Sequence, residues 1–240
     1  MTYKLNVCYD GSFFCGYAKQ KGDVLTIQQE IEEKLSIIFS SNINVVASGR
    51  TDKYVHALDQ AISFKSKTEI NPENIKKFLN SNLKNIYIKN IEIKNDNFNA
   101  RFSIKSKTYM YVINTGEFDL FRQRYEYQLN EEINIHKSKE ILDLFVGEKN
   151  FLSFSTSSLE NTIRKINRIK IIKKNKKIYI FINGNGFLRN MVRMIVSTII
   201  NYCKSIVTYD DILNLFKNPK KGSAIYKAPG CGLYLYKTIY

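Results

Sequence analysis

The chain has 240 residues, 44% of them hydrophobic and 25% charged, enough to bury a substantial core as one large domain or two small ones. With 37 Lys and Arg against 22 Asp and Glu, its formal charge of +15 points to a polyanionic partner, most simply nucleic acid, with a coding bias toward Lys, Asn and Ile as the competing account. The opening MTYKLNVCYDGS lacks the features of a signal peptide, and the longest apolar stretch, residues 191–200, is too short and too polar to span a bilayer, so the expected location is the cytoplasm.

Residues 3–9 (YKLNVCY) predict a short strand that ends at the turn signal Asp10-Gly11. Thr26-x-x-Gln29 reads as a capping box, followed by Ile27, Ile31, Leu35 and Phe39 at helical spacing. Residues 44–48 (NVVAS) and 60–65 (QAISFK) predict strands on either side of Gly49-Arg50-Thr51-Asp52. Pro72 marks the start of a second helix, and 86–93 (IYIKNIEI) alternates like a strand. The same order then returns. A strand is predicted at 107–113, a helix at 136–147, and a hairpin of 164–172 and 177–183 about Lys174-Asn175-Lys176. A helix at 187–203, a short one at 210–216 and a final strand at 232–237 complete the chain.

The order β-α-β-β-α-β thus occurs twice, over 1–103 and over 104–240, with no Pro/Gly/Ser-rich linker between. The expected fold class is α+β, with two ferredoxin-like halves. Their sheets would join into about eight mostly antiparallel strands flanked by helices, with a basic cleft between the halves.

Only two histidines and four scattered cysteines are present, without a C-x-x-C pair, so no metal-ligand spacing can be assembled. The cysteines read as reduced and structural. Only eight of the 37 basic residues are Arg, which draws attention to Arg50, Arg101, Arg189 and Arg193, where a planar, bidentate, permanently charged group is used in place of Lys. Taken alone, Gly49-Arg50-Thr51-Asp52 reads equally as a turn with a solvated carboxylate or as a carboxylate held for chemistry. Arg193 sits among apolar helical neighbours in NMVRMIV, so its guanidinium is either half-buried and paired or extends from a helix edge. Tyr109 and Tyr111 fall on one face of their strand by alternation, a pattern that core packing also explains. His56 reads as structural.

Eight motifs in order narrow these alternatives: YDGSFFCGYAKQ (9–20), TIQQEIEEKL (26–35), ASGRTDKYVHALDQ (47–60), FNARFS (98–103), KTYMYVI (107–113), GEKNFLSF (147–154), GFLRNMVRMIV (186–196) and APGCGLYL (228–235). Together they resemble the tRNA pseudouridine synthase A family nearly end to end. The resemblance implies isomerisation of uridines at positions thirty-eight to forty of the tRNA anticodon stem-loop, with no cofactor and with a homodimer as the working unit. It assigns Asp52 as nucleophile, attacking either ribose C1′ or uracil C6, and Arg193 as the ion-pair partner that keeps it charged. Tyr109 would stack on the target base and assist removal of the C5 proton. Arg50 would hold the extruded base, Leu233 would line the uracil pocket or pack in the core, and Arg101 would contact phosphate.

The chain departs from the family pattern in several places. Tyr54 stands where the family has glycine, which predicts a different loop path, because a tyrosine takes positive φ only at a cost. Gly16-Tyr17-Ala18 replaces a G-W-Q sequence, Asn99 replaces a histidine before Ala100-Arg101, and the proline usual near Leu83-Lys84 is missing. Two rival readings follow: a non-catalytic RNA-binding module, disfavoured by the absence of an aromatic RNP signature, and a divergent paralogue, active on other uridines or inactive because of Tyr54.

Overall fold

A computed structural model describes residues 1–156 and 160–240. The fold is α+β, with ten strands among the described residues, mostly antiparallel, and helices alongside. By packing, the chain forms two compact units: Met1–Lys105 together with Tyr234–Tyr240, and Ser106–Leu233.

In the first unit, β1 (Thr2–Tyr9) lies between β3 (His56–Lys65) and β4 (Ile86–Lys94), antiparallel to both. The two-residue β2 (Val46–Ala47) pairs with β3, and β10 (Leu233–Ile239) runs parallel to it through Tyr234 and Leu235. Tyr3, Leu5, Val7 and Tyr9 alternate into the core, as the strand period requires. Helix α1 (Ile27–Ile38) buries Ile27, Ile31 and Leu35, and α2 (Pro72–Asn82) buries Ile75 and Leu79. Half of the expected capping box forms: Thr26 accepts from the Gln29 N–H, while the Gln29 side chain turns to Glu33. Pro72 takes the first helical turn, where its missing N–H costs nothing.

In the second unit, β5 (Ser106–Asn114) pairs with β9 (Lys177–Gly184), β9 with β8 (Ile163–Lys174), and β8 with β7 (Gly147–Asn150), all antiparallel. The short β6 (Tyr127–Gln128) runs parallel to β5. The β8–β9 hairpin turns at Asn175, whose φ of 54° suits asparagine. Helix α4 (Met191–Cys203) is almost wholly buried, and α5 (Tyr209–Lys217) opens on a complete capping box at Thr208 and Asp211.

Two predicted helices are shortened. The expected helix at 136–147 becomes a 3-10 turn, Ile135–Glu140, followed by the four-residue α3 (Leu142–Phe145). The Ser138 hydroxyl donates to the Ile135 carbonyl, competing with the helical ladder. Gly147, at φ 96°, then turns the chain into the β7 ladder. The helix expected from residue 187 starts at Met191, because Asn190 adopts a left-handed conformation, φ 63°, at its N-cap.

Candidate active site

In the first unit, the segment from Ser48 to Val55 is a loop held by hydrogen bonds at its start, middle and end. At its start, the Ser48 N–H donates to the Ala61 carbonyl, and buried Gln60 donates to the Gly49 carbonyl at 2.6 Å. In its middle, the Thr51 hydroxyl meets the Tyr9 hydroxyl at 2.8 Å, and the Thr51 carbonyl accepts from the Tyr17 N–H at 3.0 Å. Burial pushes the Tyr9 hydroxyl far above its ordinary pKa, so it stays neutral and serves as a hydrogen-bonding post. At its end, the Val55 N–H donates to the Asp52 carbonyl at 3.1 Å, closing a turn with Asp52 at its head and Val55 buried.

Two glycines make this close approach possible. A Cβ on Gly11 would sit 2.0 Å from the Val55 carbonyl oxygen. One on Gly16, which has φ 103°, would come within 3.1 Å of the Thr51 carbonyl oxygen. The Asp10-Gly11 turn of YDGS is therefore a seat for the loop as well as a strand terminator. His56, buried at the start of β3, accepts from the Gly11 N–H at 3.1 Å and stacks on Tyr234. The loop leaves Asp52 half-buried and Arg50 exposed.

Tyr54 corrects one expectation. It does not divert the loop from the glycine-like path but adopts it, with φ 66°. The Val55 anchor on one side and the Thr51 anchors on the other fix the turn, so the tyrosine accepts a left-handed backbone that costs about 1 kcal/mol. The residue is 47% exposed, with the Lys53 ammonium 5.0 Å from the ring centre.

Arg101 lies elsewhere in the first unit. The N–H of its neighbour Ala100 donates to Ser63, near the far end of β3 from His56. Seven residues of strand separate Ser63 from His56, about 23 Å at the extended rise. Asn99 accepts from the N–H groups of Arg101 and Phe102, so the asparagine forms the turn that presents the exposed Arg101.

The second unit fixes the other candidates. Tyr109 on β5 is 8% exposed, with its ring edge-on to Phe187 at 5.1 Å and 85°. Tyr111, two residues on, is buried and donates to the Pro229 carbonyl at 2.7 Å, which assigns it to holding the segment before β10. Gly232 in that segment packs so closely that a Cβ would lie 2.7 Å from the Val112 carbonyl oxygen. Leu233 follows it, buried. Arg193 is half-buried on α4. Its Nε donates to the Ala228 carbonyl at 2.7 Å and its Nη1 to the Asn190 side chain at 3.2 Å, which fix the plane of the guanidinium. Asn190 also donates to Thr156. Its left-handed backbone therefore both starts the helix and orients the arginine.

Residues 7–103 and 141–240 match the family described as tRNA pseudouridine synthase. The chain belongs to this family. Among similar proteins, the tRNA pseudouridine synthase A of Malacoplasma penetrans is 65% identical over 241 residues, spanning all of both chains. That of Ureaplasma urealyticum is 46% identical, again over the whole of both, and that of Mycoplasma genitalium 41%, over 98% of this chain and 96% of the relative. Within the pseudouridine synthase match lie Arg50, Asp52, Arg101, Arg193 and Leu233, whereas Tyr109 falls between its two stretches. The supporting residues Tyr9, Gln60, Phe187 and Asn190 escaped the sequence reading. Phe187 and Asn190 stand inside the GFLRNMVRMIV motif, and Tyr9 opens the YDGS motif, so position within a motif was the available signal.

Proposed function

We propose that this chain converts uridine to pseudouridine at positions thirty-eight to forty of the tRNA anticodon stem-loop, with Asp52 as the nucleophile. The observation that carries the reading is the hydrogen-bonded bracing of the loop that presents Asp52, on a chain of this family. A carboxylate needs such bracing when it must meet one atom of a nucleotide repeatedly and in one orientation. A solvated turn residue does not.

In the proposed reaction the Asp52 carboxylate adds to ribose C1′ or to uracil C6, and the N1–C1′ bond breaks. The base turns, a C5–C1′ bond forms, the bond to Asp52 breaks and returns the carboxylate, the C5 proton leaves and N1 gains a proton. The sum is an isomerisation, so atoms and electrons balance without any redox partner. Arg193, held by Asn190 and Ala228, is the ion-pair partner proposed for Asp52. Arg50, exposed on the same loop, holds the displaced nucleotide. Leu233 lines the base pocket, and Arg101 contacts phosphate away from the reacting base. The working unit is a homodimer in the cytoplasm.

The first test is release of tritium from tRNA labelled at uracil C5, which isomerisation must expel and binding alone leaves in place. Tyr109 adds a second. With Phe187 fixing its ring, Tyr109→Phe retains most turnover, whereas Tyr109→Ala loses about tenfold or more, the scale of one base–aromatic stack. Equal and complete loss in both would move its role to the hydroxyl. The charge of +15 supplies a third. Affinity for tRNA should fall by at least about a hundredfold between about 50 and about 200 mM salt as counterions are released. A flat salt response would leave coding bias as the account of the charge.

A further inference from the structure

We propose that Tyr54 is a base-stacking residue of the substrate site, one that takes an unpaired nucleobase of the RNA beside the uridine being isomerised. The inference rests on the reading of Asp52 as the nucleophile. Tyr54 lies two residues from Asp52, on the turn that the Val55-to-Asp52 hydrogen bond closes. It holds a left-handed backbone at φ 66°, which a bulky L-residue adopts only against a steric penalty, and glycine would hold it without one. Packing does not repay that penalty, since 47% of the residue stays in solvent, while its neighbour Val55 supplies the buried anchor. A strained, exposed aromatic on a rigid loop beside a reacting group is the arrangement expected when the ring acts on something outside the chain.

The ring is also suited to a nucleotide. The Lys53 ammonium stands 5.0 Å from its centre, a cation–π contact that occupies one face and sets a positive charge beside it. A base stacked on the other face would have its phosphate near that charge, the combination of aromatic platform and cation by which single-stranded RNA is held. The positive φ fixes the direction in which the Cα–Cβ bond leaves the turn.

The test uses an anticodon stem-loop RNA hairpin with 2-aminopurine placed in turn at each unpaired loop position other than the target. Binding and fluorescence are measured with the full chain, Tyr54→Phe, Tyr54→Gly and Tyr54→Ala. Stacking on Tyr54 predicts quenching at one position, kept in Tyr54→Phe and lost in the other two, with affinity about tenfold weaker. It also predicts that Tyr54→Gly melts no lower than the parent chain, which separates lost stacking from lost folding. Quenching and affinity in Tyr54→Gly and Tyr54→Ala within twofold of the parent would overturn the proposal. Tritium release by the parent chain, measured alongside, tests the isomerase reading separately. RNA stacking without release would sink that reading and leave the platform, whereas release with no dependence on Tyr54 would do the reverse.

Discussion

Asp52→Ala should abolish pseudouridine formation, lowering C5-tritium release by at least about a thousandfold while folding and tRNA binding stay near those of the parent chain. The side chain is half-buried, and the loop is held by other groups: Gln60 on the Gly49 carbonyl, Tyr9 and Tyr17 on Thr51, and a main-chain bond from Val55. Removing the carboxylate therefore leaves the scaffold in place. Only the covalent step is lost. Arg193→Met should also cripple turnover, since the proposed partner of the carboxylate is gone. The double variant should lose little more than either single one, because two residues that act as one unit do not add. Melting temperature, tRNA affinity and tritium release would be measured for all three. Substantial product from Asp52→Ala would return the residue to the role of an ordinary turn carboxylate.

The second large effect comes from a residue without a functional group. Gly11→Ala should lower the melting temperature by roughly 2–12 °C and cut turnover about a hundredfold. The new Cβ would lie 2.0 Å from the Val55 carbonyl oxygen, 2.6 Å from its carbon and 3.0 Å from its nitrogen. All three are main-chain atoms, so no side chain can swing aside. The backbone must move. An overpacked site of this kind costs about 1–3 kcal/mol, and each kcal/mol lowers the melting point of a chain this size by about 2–4 °C. Val55 is also the residue whose N–H closes the Asp52 turn, so the shift reaches the carboxylate directly. A displacement of about 1 Å at a reacting group is enough for a hundredfold loss. Gly186→Ala is the control, since its Cβ would meet only the Arg164 side chain at 3.6 Å, an ordinary contact. If Gly11→Ala matched that control in melting temperature and turnover, Gly11 would not be the seat of the loop.

Much of this was legible in the residues. The alternation of YKLNVCY and IYIKNIEI, the helical spacing after Thr26, the proline at the start of α2 and the hairpin about Asn175 all describe interactions among residues close in the chain. Such patterns survive without tertiary contacts because strand and helix periods are properties of the backbone. The candidate residues drew attention for a related reason. An arginine in a glycine-aspartate turn and a guanidinium within an apolar helix are local inconsistencies, and those concentrate at functional sites.

What only the tertiary structure decided involves partners far apart in sequence. Strand β3 begins at His56 rather than at Gln60 because Tyr234 and Leu235, near the other end of the chain, pair with His56 and Ala57. The helical stretch expected at 136–147 stops at the four-residue α3, because residues 147–150 find a ladder on β8. The path of the Asp52 loop was misjudged at Tyr54 for the same reason. Side-chain preference at one position is worth about 1 kcal/mol. The anchors from Tyr9, Tyr17, Gln60 and Val55 together outweigh it. Local sequence sets the preference of each residue, but where a loop is bonded at both ends and in its middle, the sum of distant contacts sets its conformation.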